Sequence, residues 1–432
     1  MYFNLLSRAF VLLLQFFKNL VSSPNPKPIQ VNFQTIGCRV NEAESHQWAS
    51  VFASCGFIVS PKPINCDILI LNSCAVTVAA CKKSRQIISS LHQNNPSAKI
   101  ILTGCFATIE SDFITDNIKI SLCIPNQHKH NLPSIVIDKL NLEPQKTTFD
   151  YNLLSFKRQR AFLKVQDGCR YQCSYCIITK LRGGEKSVDI RHIIQQIKKL
   201  ELQQIQEVIL TGIHLGGYGS DINLSLTQLI KEILSKTKIQ RIRLGSLEPW
   251  ELSADFIRLF KNPRLMPHLH LPVQSGSDRV LKLMNRRGKT SDYLNTFKKL
   301  KNTDKNFNIT TDIIVGHPGE SDDGFMATYN FCKKAQFGNL HIFKYSPREN
   351  TKAALMSEQI DEKTKKQRYQ KLDLLNQNLI QNFIKNNKYI KHKVLWENKN
   401  KQGIYEGYTQ NYQKVFNNSQ KNLTNTITEI KI

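Results

Sequence analysis

From Val31 onward, short apolar and β-branched runs alternate with longer stretches whose apolar residues recur every three or four positions. VNFQTIG, DILILNS and KIILTG are the first three runs, each followed by residues that suit a turn. EAESHQWASVFASCG and AVTVAACKKSRQIISSLHQ carry the helical period between them. Such alternation implies parallel strands with crossover helices, so the pattern predicts a small α/β layer domain over residues 29–145. A second series opens at FLKVQDG and runs through EVILTGIHLG, IQRIRLGSLEP, HLHLPVQSG, ITTDIIVGHPG and NLHIFKYSP. DIRHIIQQIKKLELQQ, LTQLIKEILSK and DRVLKLMNRR read as helices in the gaps. Six β runs predict a partial (β/α)6 barrel over 150–356, short of the full eight. Residues 357–390, rich in Lys, Gln, Asn and Leu, predict one long basic surface helix. In 391–432, KVLWENK, IYEGYTQNYQKVF and NTITEIKI predict antiparallel strands of a small β module.

The first 28 residues stand outside this pattern. Their core, AFVLLLQFF between Arg8 and Lys18, is too short to span a bilayer, so no stable membrane span is expected. An interfacial helix or an incidental extension suits it better than a signal peptide, with SSPNPKP as a linker.

At 432 residues and 41% hydrophobic content, the chain suits two or three folded domains and excludes a wholly disordered protein. Lys and Arg number 60 against 34 Asp and Glu, a net +26 that favours a polyanionic partner, RNA or DNA first. Residues 351–432 hold 15 Lys or Arg against 7 Asp or Glu. There Tyr405, Tyr408 and Tyr412, interleaved with Gly407 and Lys414, suit stacking on bases and equally suit a β core.

Eleven cysteines, an odd number partly in tight clusters, argue against a disulfide framework and for a reducing, cytoplasmic setting. Cys55, Cys66, Cys81, Cys123 and Cys332 read as small buried residues. Cys38, Cys74 and Cys105 each follow a predicted strand directly. Parallel neighbours would bring these three thiols to one sheet edge, where open α/β sheets place ligands. The sharper constellation is CRYQCSYC, which puts Cys169, Cys173 and Cys176 on the loop after the first barrel strand. No further Cys or His pair lies near enough to complete a zinc site. Three thiolates on an iron–sulfur cluster would leave one iron open to a small molecule.

CxxxCxxC at the head of a β/α barrel resembles the radical S-adenosylmethionine (SAM) superfamily, and Tyr175 matches the aromatic common within that motif. Together with TIGCRVNEAES, LNSCAVTVAACKKSRQ, LTGC, LTGIHLGGYG, SLEPW, HLHLPVQSGSDRVLKLMNR, DIIVGHPGE, FKYSPREN and YEGYTQNY, it resembles the methylthiotransferases over most of residues 31–415. The resemblance implies a 4Fe–4S cluster on Cys169, Cys173 and Cys176 that splits SAM to a radical. It also implies a second 4Fe–4S cluster on Cys38, Cys74 and Cys105 that carries the sulfur. One SAM would methylate that sulfur and another would supply the radical, with an electron donor and a sulfur donor as further partners.

TxGCRVN, SLEP and LTGIHLGxYG are most similar to the branch acting on N6-threonylcarbamoyladenosine at tRNA position 37, which implies methylthiolation at C2 and contact with the anticodon stem-loop. The isopentenyladenosine branch more often has Gln and Met where this chain has Arg39 and Val40, and the ribosomal-protein branch usually has Pro and Lys. A non-catalytic RNA module with structural zinc is a further alternative. Gly212, Gly216, Gly217, Glu248, Gln274, Asp312 and Gly316, at strand ends, are the candidates to contact SAM alongside Tyr175. His214, His268 and His270 suit structural or catalytic roles alike, and Arg243 and Arg348 suit anion contacts. Two departures stand out. RGGEKS at 182–187 lacks the further Arg usual after Arg-Gly, and the tail is short for a complete five-stranded TRAM barrel, the RNA-binding module that ends these enzymes.

Overall fold

The computed structural model describes residues 28–110, 120–144 and 159–432. The hydrophobic leader, up to residue 27, and the junction predicted near 145–150 fall outside the described residues.

The first unit is a five-stranded sheet, all parallel, in the order β2-β1-β3-β4-β5. Its strands are β1 (Gln30–Thr35), β2 (Ile58–Val59), β3 (Ile68–Ser73), β4 (Lys99–Gly104) and β5 (Leu122–Ile124). β3 is central and buried along all six residues, which is why ILILNS reads as a continuous apolar run rather than an alternating one. Helix α1 (Arg39–Ser54) follows β1, and α2 (Val78–Asn94) follows β3. Thr77 caps α2 by accepting the Ala80 N–H, a bond of the kind worth about 1 kcal/mol. A five-residue helix, α3 (Cys105–Ile109), starts where β4 ends, and α4 (Leu132–Lys139) closes the unit.

The second unit is an open barrel of six parallel strands in chain order. β6 (Arg160–Lys164), β9 (Glu207–Thr211) and β10 (Arg241–Leu244) form one half, with β9 in the middle. β11 (His268–His270), β12 (Asn308–Val315) and β13 (Asn339–Lys344) form the other. Parallel bridges at Ile242–Leu265 and Ser246–His270 join the halves. A two-residue ladder, β7 (Gln166–Asp167) with β8 (Lys186–Ser187), brackets the loop after β6 and its short helix α5 (Ile178–Arg182). Helices α6 (Ile190–Leu202), α7 (Leu226–Lys236), α8 (Ala254–Arg258), α9 (Asp278–Leu283), α10 (Thr290–Lys301) and α11 (Asp322–Ala335) fill the crossovers. Asp189, Ser225, Ser253, Ser277 and Ser321 cap five of them through side-chain oxygens.

The long helix α12 (Glu362–Asn387) is less a surface element than its composition implies. Leu372, Leu375 and Leu379 join the barrel core, and the Asn376 side chain bonds both the N–H and the carbonyl of Leu340 on β13. The tail forms a four-stranded antiparallel sheet, β16-β15-β14-β17, from β14 (Lys391–Lys399), β15 (Tyr405–Thr409), β16 (Lys414–Asn417) and β17 (Ile427–Lys431). Its 408–412 turn seals the floor of the barrel. Arg241 and Arg243 donate to the carbonyls of Tyr408 and Gln410, and Asn308 donates to that of Asn411. No described helix is long and apolar enough to cross a membrane.

Candidate active site

The parallel order of the first sheet decides where its thiols go. β1, β3 and β4 are adjacent, so Cys38, Cys74 and Cys105 emerge at one carboxyl edge. Cys38 is the N-cap residue of α1, and Cys105 opens α3. Gly37 precedes Cys38 at φ +99°, and a β-carbon there would lie 2.7 Å from the Cys74 Cβ and Sγ. Gly104 precedes Cys105 at φ +94°, with its missing Cβ 2.4 Å from the Ser73 carbonyl. Neither position accommodates a side chain, so the backbone itself is what brings the trio together. Cys74 and Cys105 are buried, Cys38 is exposed, and Asn126 donates to the Cys105 sulfur at 3.5 Å.

The second trio sits on the loop between β7 and α5. The loop is pinned at several points: the Cys169 N–H donates to Gly183, the Ser174 N–H to Met284, and the Ala353 N–H to Ser174. Ser174 Oγ lies 3.0 Å from His317 Nε2, while His317 Nδ1 donates to the Pro318 carbonyl at 2.9 Å. That second bond leaves Nε2 as the acceptor. Burial lowers the His317 imidazolium to about 4, so the ring is neutral near pH 7.

All six cysteines line one cavity of about 700 Å³ between the sheet edge and the open barrel. Tyr175, Gly212, His214, Arg243, Glu248, His268, His270, Gln274 and Asp312 line it too. Glu248 is gripped by the buried Arg286 through two bonds of 2.6 and 3.0 Å, and Gln274 holds a left-handed φ of +69°. Gly216, Gly217 and Gly316 do not line the cavity; they make room for Glu251, Glu185 and Lys365 respectively. Arg348 is also elsewhere, 3.8 Å from the Cys81 sulfur. Glu185 of RGGEKS bonds His214 Nδ1, and Glu251 holds Nε2 at 2.6 Å, so this segment braces the cavity wall. Tyr412 turns inward onto His268 and Arg243, Tyr408 stacks on Tyr412, and Tyr405 is buried in the tail sheet. The stacking partners of these tyrosines are therefore protein groups.

A buried charge cluster joins the two units beneath Cys38. Glu44 of α1 accepts from Lys129 at 2.7 Å and Lys164 at 2.9 Å, and Arg182 bridges Asp167 at 2.8 Å and Asn41 at 2.6 Å. Burial pushes the Glu44 carboxyl up, but the three cations more than reverse this and hold it at about 2. Glu44, Asp167, Glu248, Arg286 and His317 all lie within the motifs quoted above, but their pairing is not local: Glu44 and Lys129 stand 85 positions apart, and Glu248 and Arg286 stand 38 apart.

A six-strand open parallel barrel with CxxxCxxC on its first βα loop defines a radical SAM enzyme, and residues 163–332 match the family model described as the Radical SAM superfamily. Residues 30–124 match the model described as Uncharacterized protein family UPF0004. A Thermotoga maritima protein named threonylcarbamoyladenosine tRNA methylthiotransferase MtaB is 37% identical, over 89% of this chain and 90% of its own. One of the same name from Bacillus subtilis is 32% identical over 93% of each chain. A tRNA-2-methylthio-N(6)-dimethylallyladenosine synthase of Natranaerobius thermophilus is 31% identical over 92% of this chain and 93% of its own. The chain belongs to the radical SAM methylthiotransferase family and is a transferase. Among solved structures, a Kitasatospora setae radical SAM methyltransferase, TsrM, with cobalamin and a 4Fe–4S cluster bound shares the fold. Its TM-score is 0.57 at 11% identity, covering 76% of this chain and 77% of that one.

Radical SAM membership implies a 4Fe–4S cluster and SAM, and the thiol geometry fits a cluster better than a single ion. Thiolates around one zinc lie about 3.8 Å apart. Among the described residues, the set of three metal-type side chains whose donor atoms all fall within 4.8 Å of one another contains no cysteine, so both trios are set wider than one ion requires. Burial also pushes the Cys169 thiol to about 12 and those of Cys74 and Cys176 to about 11. These side chains stay protonated until a cationic group replaces the proton.

Proposed function

We propose that this enzyme transfers a methylthio group to C2 of N6-threonylcarbamoyladenosine at position 37 of tRNA, using two 4Fe–4S clusters. The observation that carries the reading is one cavity lined by two separate cysteine trios. Cys169, Cys173 and Cys176 would hold the first cluster, and Cys38, Cys74 and Cys105 the sulfur-bearing second. When bound, the first supplies the one-electron chemistry that opens an unactivated C–H bond, which no side-chain base does usefully. The chain's own task is to orient and to exclude water. Tyr175, Gly212, Glu248, Gln274 and Asp312 border the space beside the radical trio, where SAM would lie. Gly216, Gly217 and Gly316 would act through packing. The sealed floor and the Arg286–Glu248 pair keep this space fixed.

The domain plan that accompanies this reading is a methylthiotransferase sheet domain (29–145), the barrel (150–356), the linking helix (357–390) and an abbreviated TRAM-like module (391–432). The threonylcarbamoyl substrate is favoured by the names of the relatives at 37% and 32% identity. Binding of tRNA is supported by the net charge of +26; with the tail tyrosines facing inward, its lysines are the groups left to meet the RNA backbone.

The test is nucleoside mass spectrometry of tRNA from cells with and without the gene. Loss of 2-methylthio-threonylcarbamoyladenosine is expected; loss of the dimethylallyl analogue instead would overturn the substrate assignment. Cys169→Ala should abolish reductive SAM cleavage, and unchanged cleavage would remove the radical trio from its role.

A further inference from the structure

Three neighbouring barrel strands each place one metal-type side chain on the same inner face. His270 is on β11, Asp312 on β12 and His341 on β13, with Asp312 directly opposite His341 in the register. Their donor atoms all lie within 4.8 Å of one another, and among the described residues no other group of His, Cys, Asp or Glu does this. His270 Nε2 is 3.1 Å and His341 Nδ1 is 3.3 Å from Asp312 Oδ1. Ligands about 2.1 Å from one tetrahedral ion sit about 3.4 Å from each other, so these separations need little adjustment.

The surroundings are those of a ligand set. Thr310, two residues before Asp312 on the same strand face, lies with its Oγ1 3.0 Å from His270 Nδ1. That bond turns Nε2 toward Asp312, as outer-shell partners do for metal-bound histidines. The imidazoles of His270 and His341 stack at 5.1 Å, and His341 is half exposed, which leaves an entry path. All three residues line the 700 Å³ cavity, so the remaining coordination positions face the space shared with both cysteine trios. Two imidazoles and one carboxylate suit iron(II), cobalt(II), manganese(II) or zinc(II), and suit magnesium or calcium poorly.

We propose that His270, Asp312 and His341 form a mononuclear divalent transition-metal site on the barrel wall, separate from the cysteine trios and open toward the substrate cavity. The site does not depend on which nucleoside is modified. It moves Asp312 from direct contact with SAM to metal ligation.

The experiment is equilibrium dialysis of the anaerobically reconstituted full chain against cobalt(II), counting cobalt, iron and sulfide per chain. One cobalt per chain is expected. His341→Ala and Asp312→Asn should each weaken its retention at least tenfold, while iron and sulfide stay unchanged. Cys38→Ala should lose iron and keep the cobalt, which separates this site from a cysteine trio left empty by poor reconstitution. No retained cobalt would reduce the three residues to a hydrogen-bonded triad only, and retention unaffected by His341→Ala would place the ion elsewhere; either result overturns the proposal. A chain that holds cobalt but no iron would instead undo the two-cluster reading and leave this one standing.

Discussion

Gly37, Gly104 and Gly168 immediately precede Cys38, Cys105 and Cys169, and all three have positive φ. In TIGC, LTGC and QDGC the glycine is thus as much a part of the site as the thiol. Gly37→Ala would put a methyl group 2.7 Å from the Cys74 sulfur at a φ that L-residues avoid. We predict a loss of about 1–3 kcal/mol in stability and a drop in iron per chain. Iron analysis and urea unfolding check this, and a variant that matches wild type in both would refute it. This signal was visible in the sequence, since a glycine directly before three of the six site cysteines is a local pattern. The inward turn of Tyr412 was not: it depends on Arg243, 169 positions earlier, reaching its ring at 4.4 Å.

At the scale of elements, the buried parallel strands were legible because each is a compact β-branched run. β2 and β5, two and three residues long, were not, since neither carries a period of its own. EVILTGIHLG suggested a strand reaching Gly216, yet β9 stops at Thr211, where the main chain at Gly212 comes within reach of Gln166. The radical-trio loop shows what an element gains from a distant residue. Its Ser174 is tied to His317, whose ring is held neutral by burial, with its folded value near 4 below the ordinary 6.5. A lowered histidine contributes stability above pH 6.5 that is lost as pH falls toward 4, because the unfolded chain then binds the extra proton. Release of iron and near-ultraviolet circular dichroism should therefore change over that interval. His317→Gln should lose most of this pH dependence, and a variant with the wild-type acid profile would show that another group governs it.

For the whole molecule, the charge cluster and the barrel floor make three units behave as one. Glu44 is 2% exposed and balances Lys129, Lys164 and Arg182 across the junction. Replacing it with Gln leaves three cations, of which Lys129 and Arg182 have almost wholly buried side chains, facing Asp167 alone, so Glu44→Gln should cost about 3–5 kcal/mol, read as a shift in the urea midpoint. Its carboxyl, depressed to about 2, adds stability above the ordinary 4.5 that fades as pH drops through that range. The tail makes the same point from the other end. If 391–432 were only an RNA grip, deleting it would leave the thermal midpoint where it was. Because its turn satisfies Arg241, Arg243 and Asn308 inside the barrel, we predict instead a lower midpoint in differential scanning calorimetry, by several degrees.

The brace under Cys38 also has a history in time. Cys38, Cys74 and Cys105 are synthesised long before Lys164, Asp167 and Arg182, and 138 residues separate Glu44 from Arg182. At roughly 5–20 residues per second, the 77 positions from Cys105 to Arg182 leave the completed trio without this brace for about 4–15 seconds. The thiols of Cys74 and Cys105, buried in a cluster with Ile177 and Leu181 in the finished protein, would then be open to oxygen and to stray metals on the ribosome. Stalled chains ending near residue 150 should accordingly take up a thiol-alkylating reagent at Cys74 and Cys105 faster than full-length chains do; equal labelling would mean that the first sheet protects them unaided.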